Sequence, residues 1–342
     1  MAATKQLKEK AENLANRIKK IIDNAGQSPT EKAIASDLIM DELRKEYIYV
    51  RYAYFKRFFS STKVTIDPYS DDVILELGTG DHEVSKGEEK PNDDDYVKIP
   101  AYSFGPFDAK AYFESNERFL WLIKEPFCEN HKELIDQLYA DDLNYYNQAK
   151  YYNKWENLEY PTHTNIVTRT KIILETCSNG FGMYQDEDTM MNAVMKNICI
   201  LEVNHFPGLA FNTTNSKKTN SKDDYIQKWG KNNIELIRLL IQFYTPNIVV
   251  TGNVHECFYP KWDKSTITDY NLLEKLGFTL DNDFIKSHSD CLHNNYIFPV
   301  KEKNGPVFII AYHPSMLSWY SNSKAKEDGE RIRKYNLLRS KP

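Results

Sequence analysis

Pro306-Val307-Phe308-Ile309-Ile310-Ala311-Tyr312-His313-Pro314-Ser315-Met316-Leu317-Ser318 is the stretch from which the rest of the chain can be read. Its first half is a short apolar run bounded by turn residues, the pattern of a buried strand. The strand then ends in a histidine, a proline and a serine. Pro314 fixes its own φ and drives His313 into an extended conformation, so the imidazole leaves the strand in a defined direction. Three more runs of the same kind lie upstream. Phe119-Leu120-Trp121-Leu122-Ile123 ends at Lys124-Glu125-Pro126-Phe127, and Ile198-Cys199-Ile200-Leu201-Glu202-Val203 ends at Asn204-His205-Phe206-Pro207-Gly208. Asn247-Ile248-Val249-Val250 ends at Thr251-Gly252-Asn253.

Helical stretches separate the four runs. Residues 164–176 read as helical, and in 234–244 Ile234, Ile237, Leu240 and Ile241 share one face before Pro246 stops the helix. Residues 272–276 read as a third helix with Gly277 as its cap. Apolar runs alternating with helices predict βαβ units and a parallel sheet covered on both faces, hence an α/β fold of three layers over 105–342. Open parallel sheets bind ligands outside the carboxyl ends of their strands. All four runs end in polar or turn-forming residues, which makes that edge the expected site.

Upstream of 105 the chain changes character, and residues 1–104 read as an N-terminal helical extension with an acidic loop. One helix is expected over 3–24 and a second over about 30–59, opened by Pro29. The second is expected to pack on the main domain through its aromatic-rich end, 47–59. That end also has the composition of a basic-aromatic nucleic-acid face. Residues 66–100 carry eleven acids against three lysines, and 86–95 lack periodicity, as a solvated loop does. Within this region Val73-Ile74-Leu75-Glu76-Leu77-Gly78-Thr79-Gly80 looks like the first motif of S-adenosylmethionine-dependent methyltransferases. His82 fills the third glycine position, and the residues behind it open no helix.

Composition limits the function classes. The formal charge of −5 excludes a global basic field, so nucleic-acid contact must come from local patches. The five cysteines show no paired metal spacing, which argues for a reducing compartment and against a zinc or iron-sulfur site. The expectation is a metal-free, cofactor-free protein. No apolar signal core or membrane-length run is visible, so the reading is cytoplasmic, with no membrane partner.

The strand-end residues carry a resemblance. His313-Pro314-Ser315-Met316-Leu317-Ser318 resembles the His-Pro-Ser-x-Leu-Ser motif of the uracil-DNA glycosylase superfamily, with Met316 where many members have proline. Lys124-Glu125-Pro126-Phe127 resembles that family's Asp-Pro-Tyr motif, and more closely the Lys-Glu variant of some bacterial members. Asn204 stands where the family keeps a base-reading asparagine. Asn204-His205-Phe206-Pro207-Gly208 is similar to the Asn-x-x-Lys-x-Pro-Gly pattern, one position shorter and without its lysine. The resemblance covers about two thirds of the chain. It implies a four-stranded parallel sheet of order 2-1-3-4 and an enzyme that hydrolyses the N-glycosidic bond of a base flipped out of DNA.

The chemistry asks for such residues. A broken glycosidic bond leaves an oxocarbenium-like sugar and a base anion, and a carboxylate near the sugar can stabilise the cation and position water. Glu125 is the candidate for that role. His313, supported by Ser315, would donate to the departing base, and Asn204 offers both a donor and an acceptor to a pyrimidine edge. Lys124, Phe127 and His205 complete the expected base pocket. Leu317 is the candidate wedge for the gap left by flipping, and Lys217, Lys218 and Lys222 are candidate phosphate contacts. Seven Lys or Arg against three acids in the tail from Lys324 form a second basic patch. The expected protein is a monomeric, monofunctional DNA glycosylase acting on uracil or on a modified pyrimidine, such as the hypermodified cytosine met in phage defence. A catalytically inactive DNA-binding module of the same fold, and a methyltransferase, are the alternatives.

Overall fold

A computed structural model describes residues 2–51, 74–76, 96–100, 104–123, 127–128, 154–158, 161–177, 184, 186–203, 208–209, 223–252, 254, 271–287, 297–302, 305–311 and 321–339. The strands are β1 (Tyr47–Arg51), β2 (Ile74–Glu76), β3 (Tyr96–Pro100), β4 (Gly105–Pro106), β5 (Phe119–Ile123), β6 (Phe127–Cys128), β7 (Ile198–Glu202), β8 (Gly208–Leu209), β9 (Ile248–Gly252), β10 (Ile297–Phe298) and β11 (Val307–Ala311). The helices are α1 (Ala2–Asp23), α2 (Pro29–Arg44), α3 (Ala109–Glu114), α4 (Pro161–Cys177), α5 (Glu187–Met195), α6 (Asp223–Tyr244), α7 (Asn271–Lys275), α8 (Asn282–Ser287) and α9 (Asn322–Arg339).

The fold is α/β. Its main sheet is six-stranded and mixed, with order β10-β11-β9-β5-β7-β4, and so differs from the four-stranded parallel sheet expected. β11, β9, β5 and β7 run parallel to their neighbours, while β10 and β4 add short antiparallel edges. Both edge strands hold two residues, too few to show alternation in sequence.

Every residue of β5, β7 and β9 is buried, because both faces of the sheet are covered. Leu120, Leu122, Cys199, Leu201, Val249 and Phe308 join one apolar cluster with residues of α1, α2, α3, α6 and α7. Phe119, Trp121, Ile123, Ile198, Ile200, Val250 and Ile309 join a second with residues of α4, α5 and α9. The strict alternation is that of pleated strands with a packed layer on each side. At about 25 cal/mol per Å² of apolar surface removed from water, these two clusters dominate the stability of the fold.

Local chemistry sets the helix ends. Ser28 and Glu31 form a reciprocal capping box at the start of α2, with Pro29 in the first turn. Asp108 and Asp186 cap α3 and α5 through the N–H groups of Ala111 and Thr189. α6 ends at Thr245, whose φ of 43° is left-handed, and Gly277 closes α7 at a φ of 85°. Arg118 ties the amino edge of the sheet to the α6 terminus, donating from Nε to the Thr245 carbonyl at 2.8 Å.

The N-terminal part departs from expectation. α2 ends at Arg44, and Tyr47–Arg51 is a strand, so the helix expected to reach Phe59 is not formed. The segment alternates aromatic and β-branched residues, and it pairs antiparallel with β2 on one side and β3 on the other. β2 is the strand of the methyltransferase-like motif. It lies in this separate antiparallel sheet and not in the parallel one. The basic tail is also changed. It forms α9, packed along α4, and Asp328 is fully buried with Lys324 at 3.0 Å and Arg331 at 3.4 Å. Two of the cations expected to be free for phosphate are thereby paired.

Candidate functional site at the carboxyl edge of the sheet

The four parallel strands end level with one another. Glu202 is registered with Ile123, Ile123 with Gly252, and Gly252 with Ala311. These four residues form one row across the sheet, spanning about 14 Å at roughly 4.8 Å per strand. Glu125, Asn204 and His313 each follow a member of this row by two residues in sequence.

The exits of β5 and β7 are tied twice. Before the exits, Val203 donates its N–H to the Ile123 carbonyl at 2.9 Å. After them, β6 and β8 pair in parallel, with Phe127 registered to Gly208 and Cys128 to Leu209. The connections that carry Glu125 and Asn204 therefore start from paired strands and return to paired strands. A third tie comes from α6, where buried Asn233 donates from Nδ2 to the Val203 carbonyl at 3.0 Å. On the other side, Thr251 donates from Oγ1 to the Ile309 carbonyl at 3.2 Å and binds β9 to β11 near their ends.

Of the residues expected in the site, Phe127 lies within described backbone, as the first residue of β6. Lys124, Glu125, Asn204, His205, His313, Ser315, Leu317, Lys217, Lys218 and Lys222 lie outside the described residues.

Two polar groups at this edge were not expected from sequence. Glu202 is 5% exposed, and burial pushes its carboxyl up to about 8, against the opposing pull of the Phe104 N–H that donates to it. At neutral pH it is protonated. His163, in the first turn of α4, is buried with its ring centroid 4.7 Å from that of Phe104. Burial lowers it to about 4, so it is neutral at pH 7. The sequence signal for Glu202 was a lone acid closing an otherwise apolar run. For His163 it was a histidine two residues after a helix-opening proline.

Cys177 and Cys199 are both raised by burial and are poor nucleophiles. Among the described residues no group of three or more His, Cys, Asp or Glu could hold a metal ion, and no helix is long and apolar enough to cross a membrane. Comparison with protein-family models, with curated proteins and with solved structures gives no match.

Proposed function

We propose that the chain is a DNA glycosylase that hydrolyses the N-glycosidic bond of a flipped uracil or modified pyrimidine and leaves an abasic site. The observation that carries this reading is the level row Glu202–Ile123–Gly252–Ala311, from which the segments bearing Asn204, Glu125 and His313 all leave on one edge. A second support is the double tie around the Glu125 and Asn204 connections. A third is the neighbour order of the parallel strands, which in chain sequence is second, first, third, fourth, as the resemblance implies.

In this reading the Glu125 carboxylate faces the sugar, stabilises its developing positive charge and orients the attacking water. Asn204 pairs with the edge of the base. His313 donates to the base as its negative charge develops, with Ser315 holding the imidazole. Phe127, Lys124 and His205 border the base. Leu317 fills the space that the base vacates, and Lys217, Lys218 and Lys222 hold phosphates.

The test is incubation of the full chain with uracil-containing, ordinary and modified phage DNA. Freed bases are identified by mass spectrometry and abasic sites by alkali cleavage. A released uracil or modified cytosine with matching alkali-labile sites supports the proposal. DNA binding without either product would make the chain a binding module and overturn it.

A further inference from the structure

Glu202 is the only Asp, Glu, His, Lys or Arg in the parallel strands β5, β7, β9 and β11. It closes β7 and is buried. By alternation it faces the layer of α4, α5 and α9, as Ile198 and Ile200 do.

The strand beside this end of β7 is thinly bonded. In β4, Gly105 is registered with Ile200 and Pro106 with Cys199, and Pro106 has no N–H to give. Phe107 donates to the Ile198 carbonyl at 3.3 Å, a longer bond than usual. Gly105 turns the chain at a left-handed φ of 75°, and a Cβ there would meet the Met40 sulfur at 2.8 Å. Ahead of that turn the Phe104 N–H donates to the Glu202 carboxyl. The Phe104 ring is buried, edge-on to Phe107 at 4.8 Å between centroids and 4.7 Å from His163. The entry of β4, the first turn of α4 and the end of β7 therefore meet at Phe104, and Glu202 holds its backbone.

No cation among the described residues offsets the burial of Glu202. The titratable groups about it are Cys199 on its own strand and neutral His163 behind the Phe104 ring. Arg169 on α4 donates to Asn322, Asp328 on α9 is paired with Lys324 and Arg331, and α5 contributes Met191, Val194 and Met195 to this layer.

We propose that Glu202 is a positioning residue: its carboxyl clasps the Phe104 N–H, fastens the entry of β4 to the end of β7, and so steadies the frame from which the segment bearing Asn204 leaves. The bearing on Asn204 rests on the glycosylase reading; the clasp does not. The clasped form holds a proton that an opened form, with the carboxyl in water, gives up. Opening therefore becomes easier as pH rises from 4.5 to about 8, by about tenfold per unit, and no easier above that. Any opposing effect of His163 is confined to pH below 6.5.

Hydrogen exchange at the Phe104 amide of the full chain, followed by NMR with isotope-labelled phenylalanine, tests the clasp. Protection, corrected for the intrinsic exchange rate, should fall by about tenfold per unit from pH 6.5 to about 8 and then level. In Glu202→Gln the carboxamide keeps an acceptor and has no proton to lose, so protection should stay constant. Constant protection in the wild type overturns the proposal whether or not the variant folds, and so does a fall that persists in a folded Glu202→Gln. Single-turnover base release at neutral pH tests the positioning. Glu202→Ala should be slower by about tenfold to a hundredfold with little change in substrate affinity, and Glu202→Gln should restore the rate. A Gln variant as slow as the Ala variant would make the proton part of the chemistry and overturn a positioning role, and an Ala variant as fast as the wild type would overturn it too. If the wild type releases no base, the glycosylase reading fails, and the exchange result alone upholds or overturns the clasp.

Discussion

Asn233, buried in α6, donates from Nδ2 to the carbonyl of Val203 at 3.0 Å, one residue before Asn204. The Val203 N–H meanwhile donates to Ile123. Both polar backbone groups of Val203 are thus held, one by the neighbouring strand and one by a helix. The direction in which the chain leaves β7 is set by these two bonds.

Asn233→Ala removes the donor and leaves a buried carbonyl unpaired, which costs about 1–3 kcal/mol. Urea denaturation should show a loss in that range. Base release should fall with little change in DNA affinity, because the exit of β7 loses a restraint and no DNA contact is lost. Stability equal to the wild type would show that the bond contributes nothing to holding β7.

Much of the main sheet was legible in the sequence because β5, β7, β9 and β11 are apolar on both faces, and such runs stand out against polar surroundings. β4 and β10 were not, since two residues carry no period. The error at 47–51 has a physical source. Tyr, Ile and Val alternate there with period two, but the segment was read as the aromatic-rich end of the second helix. Strand partners in β2 and β3, 24 or more residues away, decide the outcome. α9 was read as a free basic tail because a buried Asp328 between two cations looks, in sequence, like any solvated charge. Glu202 was read only as part of the second apolar run, 198–203, and was given no role. The N–H that it accepts comes from Phe104, just before β4 and nearly a hundred residues away in sequence, which no local pattern encodes.

Glu202 and His163 give a two-sided pH dependence. Glu202 is raised from 4.5 to about 8, so between these values the native state holds a proton that the unfolded state has lost, and stability falls as pH rises. His163 is lowered from 6.5 to about 4, so between those values the unfolded state binds the extra proton, and stability rises with pH. The two oppose one another from 4.5 to 6.5, and from 6.5 to about 8 the Glu202 effect stands alone. Glu202→Gln should therefore flatten the fall in melting temperature over the upper window. A variant whose melting temperature still falls there as the wild type's does would move the titration to another group.

Thr245 closes α6 with a left-handed φ of 43°, is exposed, and uses only backbone atoms in its bonds to Ile241 and Arg118. A β-branched residue is strained there by roughly 1–2 kcal/mol. Thr245→Gly relieves that strain, less the entropy that glycine adds to the unfolded chain. The expected gain is about 0.5–1 kcal/mol by urea denaturation, whereas Thr245→Ala should bring none. Equal gains from both variants would place the strain elsewhere.

The last prediction separates the chemistry of the carboxyl edge from the opening of DNA. Glu125→Gln keeps the shape of the side chain and removes its charge, so it should cut base release by orders of magnitude while DNA binding survives. His313→Ala removes a donor that acts mainly as negative charge develops on the base. Its rate should fall about a hundredfold or more, the scale of one lost oxyanion-type donor, with little change in substrate affinity. Leu317→Ala should differ in kind. A lost wedge slows extrusion from a duplex but matters little on a single strand, where no stack has to be opened. Single-turnover rates on matched single- and double-stranded substrates should then show Glu125→Gln and His313→Ala slow on both, and Leu317→Ala slow on duplex alone. A Leu317→Ala variant as slow on single strands as on duplex would make Leu317 part of the base pocket. Wild-type rates for all three on both substrates would remove the 124–127 and 311–318 stretches from the site, and the glycosylase proposal with them.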